Sequence, residues 1–348
     1  MTASSPAPAV WFPTIATGTG TERFTERLAA GLARLGIRTE ITWLPIRAEY
    51  APWTVMTPRP PSWANVIHVN SVFPPSLLPA NLPWVATIHS GMHDPRLAAF
   101  KSLFQRIYHE RVLKPRERSL LHRAACVTAV SDYAGRTAAE VFSIAEPRTI
   151  LNGVDTEVFT PRAGMRPEGC LRLLYVGRWS RRKGTDLIRP LLQRLVGQVE
   201  FLFTATPQEE ASLRDLPGRV ECVGRLADEA GLAALYRRAD VLIFPSRSEG
   251  FGLVAAEAMA CGMPVVCSDD TALQEIVPHG ECGLRCIPGD VASFAEAVRE
   301  LATQEETLLR MSRAARTHAV EKLGETRMLE AYLAVYGQVL AQGGASTT

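Results

Sequence analysis

Residues 239–266 read ADVLIFPSRSEGFGLVAAEAMACGMPVV and form the most informative segment of the chain. An apolar strand ends at Phe244 and leads into a loop rich in Pro, Ser and Gly. A helix rich in Ala then begins near Phe251 and ends at Cys261–Gly262, where the glycine favours termination. A continuous apolar strand that leads through a short loop into a helix is the repeating unit of an α/β fold with a parallel sheet.

The same alternation of a short apolar strand and a longer helical segment recurs along the chain. The predicted strands are Ile37–Trp43, Val66–Val69, Trp84–Ile88, Cys126–Val130, Leu171–Val176, Val199–Phe203, Val220–Val223, Val241–Phe244 and Pro264–Cys267. Nearly continuous apolar strands are typical of parallel sheets that helices cover on both faces. The pattern therefore predicts an α/β protein with doubly wound parallel sheets.

A polar segment rich in Pro and Gly, Pro161–Gly169, divides the chain into two similar halves. We predict a first domain over residues 1–162 and a second over residues 168–324. A last helix, over about 325–342, is expected to pack back onto the first domain. Two doubly wound domains imply a cleft between them, and ligands of such sheets bind beyond the carboxyl ends of the strands.

The composition excludes several classes of protein. Of the 348 residues, 47% are apolar and 21% are charged, as in packed globular proteins and unlike disordered chains. A net charge of +2 gives no basic excess that would indicate a nucleic-acid partner. No apolar run approaches the roughly 20 residues of a membrane span. The N-terminus also lacks the basic start and apolar run of a signal peptide, so we expect a cytoplasmic protein.

The seven cysteines are scattered through apolar segments, which is typical of reduced thiols packed in a core. Cys282 and Cys286, with His279 just before them, form the one cluster that resembles a set of metal ligands. Zinc sites usually contain two closely spaced pairs of ligands, and no second pair accompanies this one. We therefore expect no metal site.

Two carboxylates and two glycines in residues 249–257 have the character of a ligand site. Gly250 and Gly252 let a ligand approach the backbone, and the N–H groups at the start of the helix favour an anion. Glu249 comes before this helix, and Glu257 lies about two turns into it. Carboxylates suit a phosphate ligand only if it also carries sugar hydroxyls, because a carboxylate accepts paired hydrogen bonds from a diol.

Glu249, seven intervening residues, Glu257 and the following Ala258–Val266 resemble the signature of retaining glycosyltransferases of family 4. The resemblance implies the GT-B fold, with two Rossmann-like domains that face a cleft. It implies transfer of a sugar from a nucleoside diphosphate sugar to a hydroxyl of a glycan, a lipid or a small molecule. It is close over about residues 150–300 and looser in the first half. No metal and no cofactor besides the donor are expected.

The same resemblance implies roles for residues of the second half. Arg178 and Lys183 contact the diphosphate, where fixed cations stabilise the leaving group without a metal. Glu249 orients the donor sugar, with a nucleophilic role as the rival assignment, and Glu257 binds the ribose hydroxyls. The other expected donor contacts are Arg225 and Leu226, in the segment that faces the nucleobase, and Gly250, Phe251, Gly252, Leu253 and Val254.

Two segments of the first half resemble the family more loosely. Gly18 and Gly20 lie in a turn that opens a helix, and the family's glycine loop faces the diphosphate and the acceptor. A dinucleotide fingerprint would need a third glycine where Arg23 stands. The strand at Val85–Ile88 ends in His89, which in relatives lies beside the donor sugar. The expected catalytic set is therefore His89, Arg178, Lys183 and Glu249, with His68, His93 and Asn70 as weaker candidates.

Residues 101–123 carry seven Lys or Arg and two Glu, a local net charge of 7 − 2 = +5. Basic amphipathic helices of this kind can lie on anionic membranes, which would make the protein peripheral at the inner face of a membrane. Leu103, Ile107, Leu120 and Leu121 also suit the buried face of ordinary core helices. The sequence leaves both interpretations open.

Two other functional classes also stay open at this point. One is a non-catalytic protein that binds sugar nucleotides, and the other is a sugar-nucleotide epimerase or a phosphorylase on a similar two-domain frame. Intact Arg178, Lys183, Glu249 and Glu257 argue against the first, because a degenerate site would have lost some of them. The sequence contains no recognisable cofactor lysine motif of a phosphorylase.

Overall fold

The structure is a computed structural model that describes residues 6–18, 20–164, 169–211, 213–226 and 228–345. The chain divides into two compact units, Met1–Gly153 with Glu325–Thr348, and Val154–Gly324. The Pro- and Gly-rich segment 161–169 therefore belongs to the second unit, and its residues 165–168 lie outside the described residues. The first unit includes the last helix of the chain.

Strands and helices alternate along the whole chain. The strands are β1 (Ala9–Ile15), β2 (Arg38–Leu44), β3 (Val66–Asn70), β4 (Trp84–Ile88), β5 (Cys126–Ala129), β6 (Arg148–Thr149), β7 (Leu171–Tyr175), β8 (Val199–Phe203), β9 (Arg219–Cys222), β10 (Val241–Phe244), β11 (Val265–Ser268) and β12 (Gly283–Cys286). The helices are α1 (Gly20–Arg34), α2 (Arg47–Tyr50), α3 (Leu103–Tyr108), α4 (Lys114–Arg123), α5 (Asp132–Phe142), α6 (Ile188–Arg194), α7 (Pro207–Glu210), α8 (Glu229–Tyr236), α9 (Leu253–Ala260), α10 (Leu273–Ile276), α11 (Val291–Thr303), α12 (Glu305–Lys322) and α13 (Glu325–Ala345). A π-helical turn, His109–Leu113, joins α3 to α4.

The first unit is built on a parallel sheet of order β2-β1-β3-β4-β5-β6. One face of this sheet packs against α1 and α13, which contribute residues such as Leu28 and Tyr332 to the core. The other face packs against α4 and α5, through residues such as Leu120 and Ala134. Because helices cover both faces, β4 is buried at every position, as a continuous apolar strand requires.

His68 has a structural role in this unit. Its Nδ1 lies 2.6 Å from the hydroxyl of Tyr336 on α13, and its Nε2 lies 2.7 Å from Oγ1 of Thr87 on β4. Burial, and secondarily the nearby His89, lowers the pKa of His68 to about 3, so the ring is neutral. A neutral imidazole with both nitrogens hydrogen-bonded is a satisfied core residue that helps to attach α13 to the sheet.

The second unit contains a parallel sheet of order β12-β11-β10-β7-β8-β9. Its core joins strand residues such as Leu173 and Ile243 to Ile188 of α6 and to Phe294 and Val298 of α11. Counted from β7, this is the strand order of a doubly wound dinucleotide-binding fold, with a switch in direction between β7 and β10. The predicted α/β class with two doubly wound parallel sheets is thus confirmed.

All the strands that the sequence predicts are present, with ends that differ by at most one residue. The sequence analysis assigned no range to β1, β6 or β12, and β1 carries Pro13, a residue type that argues against a central strand. The paired positions of β1 and β3 are Val10 with Val66 and Trp11 with Ile67, so Pro13 lies beyond that ladder. All seven cysteines are described, and each is a free thiol. Among the described helices, none combines the length and apolar character of a membrane span.

Candidate active site

The switch point of the second sheet brings together the residues that the sequence singled out. The strands β7 and β10 are neighbours in the sheet although they are distant in the chain. A doubly wound sheet forms its ligand crevice at the carboxyl ends of such a pair. The loop that follows β7 carries Arg178 and Lys183, and the loop that follows β10 carries Glu249.

Hydrogen bonds join these two loops. The guanidinium of Arg182 donates to the carbonyl of Ser248 at 2.9 Å, and the N–H of Arg247 donates to the carbonyl of Arg182 at 2.9 Å. Arg247 also binds both carboxylate oxygens of Asp186, at 2.6 and 2.9 Å. Burial tends to raise the pKa of Asp186, but the hydrogen bonds and charge of Arg247 outweigh it and lower that pKa below its usual value. The two loops therefore form one hydrogen-bonded surface.

Gly184 permits the close approach of the two loops. Its φ is +73°, a backbone conformation that strains any other residue. A Cβ atom at this position would lie 2.0 Å from the carbonyl oxygen of Pro245, far inside van der Waals contact. The loop after β7 can therefore rest on the loop after β10 only with glycine at position 184.

Lys183 and Glu249 form the central contact of this surface. The Nζ atom of Lys183 lies 2.6 Å from Oε1 of Glu249, and the two side chains are 19% and 9% exposed. The ammonium also lies 5.6 Å from the ring centre of Phe244. Because both groups are largely removed from water, each charge depends on the other for compensation. The sequence predicted each residue as functional, and the structure brings their charged groups into contact.

Thr271, which the sequence analysis did not identify, also holds the backbone of Glu249. The N–H of Glu249 donates to Oγ1 of Thr271 at 3.1 Å. Thr271 has a φ of +55°, which is rare for a β-branched residue and costs roughly 1–3 kcal/mol. Its position after Asp269 and Asp270 looks like an ordinary polar turn, so no sequence signal could have shown this conformation.

Helix α9 begins at this surface and carries the second carboxylate. Its N-cap is Gly252, with a φ of +99°, where a Cβ atom would lie 2.9 Å from Cδ2 of Leu273. Glu257 is only 2% exposed, and its Oε2 accepts a hydrogen bond of 3.1 Å from the hydroxyl of Tyr236. Tyr236 also approaches the carbonyl of Val254 at 3.3 Å. The carboxylate of Glu257 is thus held beside the first turns of the helix, and its role toward a ribose stays a prediction.

The remaining predicted donor residues of this unit lie closer to solvent. The side chain of Arg178 is exposed, and its carbonyl accepts a hydrogen bond of 3.0 Å from the hydroxyl of Tyr175. Arg225 is exposed as well and lies 3.7 Å from the carboxylate of Glu209, while Leu226 is half-buried. Their contacts with a donor stay predictions.

The glycine turn of the first unit is occupied by a side chain of the protein itself. The N–H groups of Thr17 and Gly18 both donate to the carboxylate of Glu22, and Oγ1 of Thr17 lies 2.9 Å from the same oxygen. Gly20 is the first residue of α1, and position 19 lies outside the described residues. An anion could therefore use these donors only by displacing Glu22. The roles of Gly18 and Gly20 stay predictions.

His89 directly follows β4, and its ring is fixed by a neighbouring strand. Its Nε2 lies 2.7 Å from Oδ1 of Asn70, the last residue of β3. The ring of Phe24 packs edge-on at 4.6 Å. Burial lowers the pKa of His89 to about 3, so the imidazole is neutral. With the amide oxygen of Asn70 facing it, Nε2 carries the proton and Nδ1 keeps its lone pair.

Comparisons with known proteins agree with this arrangement. Residues 170–304 match the family described as glycosyl transferases group 1, and residues 61–158 match the one described as glycosyltransferase family 4. The chain is 31% identical over 304 residues to glycogen synthase of Mycobacterium tuberculosis, an alignment that covers 83% of this chain and 68% of that protein. It is 30% identical over 293 residues to phosphatidyl-myo-inositol mannosyltransferase of Mycobacterium leprae, covering 80% and 75%. The chain belongs to glycosyltransferase family 4.

Solved structures give the same result for the fold. Sucrose-phosphate synthase from Thermosynechococcus elongatus superimposes with a TM-score of 0.79 at 22% identity, over 96% of this chain and all of that one. HepE of Anabaena, solved in complex with UDP and glucose, superimposes with a TM-score of 0.72 at 18% identity, over 95% of this chain and 100% of the other. The family 4 protein thus has the GT-B fold, and it is a glycosyltransferase.

Proposed function

We propose that this family 4 glycosyltransferase binds a nucleoside diphosphate sugar at the carboxyl ends of β7 and β10. It then transfers the sugar, with retention of configuration, to a hydroxyl of an acceptor. The observation that carries the proposal is the 2.6 Å contact between Lys183 and Glu249. It joins a cation suited to a diphosphate with a carboxylate suited to sugar hydroxyls.

In this proposal the loop after β7 and the start of α9 stabilise the leaving group. Arg178 and Lys183 supply positive charge, and the first N–H groups of α9 supply hydrogen-bond donors. Negative charge develops on the diphosphate as the glycosidic bond breaks, so cations held in place lower the barrier. The departing diphosphate takes the proton of the acceptor hydroxyl. The proposal includes no metal and no further cofactor.

Glu249 orients the donor sugar in this proposal. Its Oε1 is already bound to Lys183, which holds the carboxylate at one angle and occupies one of its two oxygens. This favours a role in hydrogen bonding to sugar hydroxyls over a role as the nucleophile. Glu257 is assigned to the ribose, Arg225 and Leu226 to the nucleobase side, and His89 to the transfer step.

The acceptor and the base of the donor are open parts of the proposal. The names of the relatives refer to a glycan, glycogen, and to a lipid, phosphatidyl-myo-inositol. The HepE structure contains UDP and glucose, which makes UDP-glucose the first donor to test. A cytoplasmic location also belongs to the proposal.

A thermal-shift panel of UDP-, GDP-, ADP- and TDP-sugars tests the donor site. A ligand that binds only the folded protein stabilises it by about 2.7 kcal/mol at a hundredfold excess over its Kd. We expect one donor class to raise the unfolding midpoint of the wild type, equally with and without EDTA. The matched Lys183→Met variant should show a much smaller shift. If no donor shifts the wild type, the donor site is refuted, and a shift that EDTA abolishes would refute metal independence.

We also propose that the first unit contacts a membrane surface, one of the two interpretations that the sequence leaves open for residues 101–123. The structure separates the apolar residues of this stretch into two groups. Leu120 and Leu121 are buried in the core, whereas Leu103, Phe104 and Ile107 of α3 are exposed, Phe104 to 78%. Exposed apolar residues of this size, grouped on one short helix, are unusual for a solvated surface.

A second segment adjoins α3 and enlarges this apolar surface. The ring of Tyr50 packs against that of Tyr108 at 5.6 Å, and the guanidinium of Arg116 donates to the carbonyl of Glu49 at 2.5 Å. After Tyr50 come Trp53, which is 80% exposed, and Met56, which is 90% exposed. We call Tyr50, Trp53, Met56, Leu103, Phe104 and Ile107 the apolar surface.

The charges around the apolar surface favour an anionic bilayer as its partner. Residues 101–123 have a net charge of +5, and one of their two acids, Glu117, is buried. An excess of Lys and Arg in the segment that includes α3 attracts anionic headgroups, at about 1 kcal/mol per Lys or Arg near the surface. The same excess would repel the corresponding segment of a second copy of the chain.

Co-sedimentation with vesicles tests this contact. We expect binding to vesicles that contain phosphatidylglycerol, weakening with salt, and little binding to pure phosphatidylcholine. The double variant Trp53→Asp, Phe104→Asp should lose at least about tenfold in affinity. The control Leu309→Asp, which alters an exposed leucine of α12 in the second unit, should bind like the wild type. Unchanged binding of the double variant, or dimerisation through this surface in light scattering, would refute the proposal.

A further inference from the structure

Glu117 is a buried carboxylate that the mechanism above does not use. It lies on α4, is 3% exposed, and makes hydrogen bonds with both of its oxygens. The hydroxyl of Ser71 donates to Oε1 at 2.5 Å, and Nε2 of His93 lies 3.0 Å from Oε2. A carboxylate is costly to bury unless such partners compensate it, so these three side chains depend on one another.

Ser71 and His93, the two partners of Glu117, lie close in the chain to Asn70 and His89, whose side chains are hydrogen-bonded to each other. Ser71 directly follows Asn70, whose Oδ1 holds Nε2 of His89 at 2.7 Å. His93 follows His89 in the loop that leaves β4. Glu117 therefore links the two chain segments that bring Asn70 and His89 together.

The ring of His93 can serve this link in one tautomer only. Its Nδ1 is buried and has no hydrogen-bond partner among the described residues. The carboxylate oxygen of Glu117 can only accept, so Nε2 carries a proton and donates it to Glu117, whereas a proton on Nδ1 alone would be a buried donor without an acceptor. Glu117 thus accepts two hydrogen bonds. A carboxylate can accept at both of its oxygens, whereas a neutral side chain of the same shape has one acceptor oxygen.

The same loop has separate anchors on either side of His93. The hydroxyl of Tyr133 donates to Oδ2 of Asp94 at 2.7 Å, and Nζ of Lys101 donates to the carbonyl of Met92 at 2.5 Å. Neither contact involves Glu117. Loss of Glu117 would therefore free the side chains of Ser71 and His93 while the backbone of the loop on both sides of His93 stays attached.

We propose that Glu117 is a positioning residue for glycosyl transfer, which acts by holding Ser71 and His93 and through them the ring of His89. The inference rests on the proposed function, in which His89 takes part in the transfer step. A displaced catalytic group lowers the rate far more than it weakens binding of the donor. Glu117 should therefore affect kcat more than KM.

Kinetics of three variants test the proposal. Glu117→Ala is expected to lower kcat by about 10- to 100-fold, with the KM of the donor changed by less than about threefold. Glu117→Gln keeps one acceptor and should lie between Ala and the wild type. Thr42→Val is the matched control, because it removes the 2.8 Å hydrogen bond from Trp11 in the same unit, away from this loop. It should lower the unfolding midpoint and leave kcat unchanged.

A double-mutant cycle distinguishes positioning from general destabilisation. In a His89→Ala background, Glu117→Ala should cost less than about twofold in kcat, because its effect passes through His89. A full additional loss in that background, or a wild-type kcat of Glu117→Ala alone, would overturn the inference. Where Glu117→Ala does not fold, Ser71→Ala removes one of the two partners and gives the same cycle with a smaller effect. Failure of the proposed function appears differently, as an absence of transfer by the wild type with every donor.

Discussion

Glu249→Ala is expected to lower kcat/KM for sugar transfer by about 30- to 1000-fold, which corresponds to about 2–4 kcal/mol of lost transition-state stabilisation. The carboxylate is 9% exposed and bound to Lys183, so no water molecule easily replaces it. Its loss would leave sugar hydroxyls of the donor without an acceptor. The measurement is release of the nucleoside diphosphate from the donor that stabilises the protein.

Lys183→Met and the double variant show whether the pair acts as a unit. Lys183→Met keeps an unbranched side chain, one atom shorter, and removes its charge, so both the diphosphate and Glu249 lose their cation. Because the two charged groups are 2.6 Å apart, the loss in the double variant should be smaller than the product of the single losses. Glu249→Gln serves as the matched control for shape and should retain part of the activity.

Two outcomes would contradict this reasoning. One is near-wild-type transfer by both Glu249→Ala and Lys183→Met with the correct donor. The other is strict additivity of the two losses, which would mean that the contact has no functional consequence. A covalent intermediate trapped on Glu249 would instead support the nucleophilic role.

Local patterns in the sequence were sufficient for most of the fold. Strands such as Val241–Phe244 are apolar at every position, and each is followed by a helical segment, which is what a doubly wound parallel sheet requires. The central strand β1, to which the sequence analysis assigned no range, carries Pro13. That residue is tolerated where the paired positions of β1 and β3 have ended, a fact about register that composition does not contain.

The candidate site was predictable where its residues lie in one continuous motif. Lys183 and Glu249 were both singled out from segments that resemble family 4 and directly follow strands, and the structure places their charged groups in contact. Thr271 and Glu117 were not, because their importance depends on a positive φ in one case and on partners distant in the chain in the other. Glu22 was missed for a related reason, since nothing in a glycine turn shows that a side chain of the protein already occupies its N–H groups.

For the basic stretch 101–123, the sequence shows the net charge but not which of its apolar residues are buried. Its net charge could be counted, but periodicity assigned Leu103 and Ile107 to the same class as Leu120 and Leu121. The structure buries the second pair and exposes the first. Trp53 and Met56 come from a separate segment, and only the folded chain shows that this segment meets α3, through the contact of Tyr50 with Tyr108.

Gly184→Ala is expected to have the second large effect, on stability and on activity together. A φ of +73° costs an alanine about 1–2 kcal/mol, and a Cβ atom 2.0 Å from the carbonyl oxygen of Pro245 forces the two loops apart. Overpacking of this kind adds about 1–3 kcal/mol, for a total of about 2–5 kcal/mol in the free energy of unfolding. The measurement is the urea midpoint, followed by activity of the folded fraction.

Gly197→Ala separates the two causes within the same unit. Gly197 has a φ of +75°, and a Cβ atom there would have no neighbour within 4 Å. This variant should therefore show the backbone strain alone, with normal transfer and a normal donor-induced thermal shift. Gly184→Ala should lose both sugar transfer and the donor-induced thermal shift, because the displaced loop would carry Lys183 away from Glu249. Equal stability and equal donor binding in the two variants would show that the contact between Gly184 and Pro245 does not hold the loops in place.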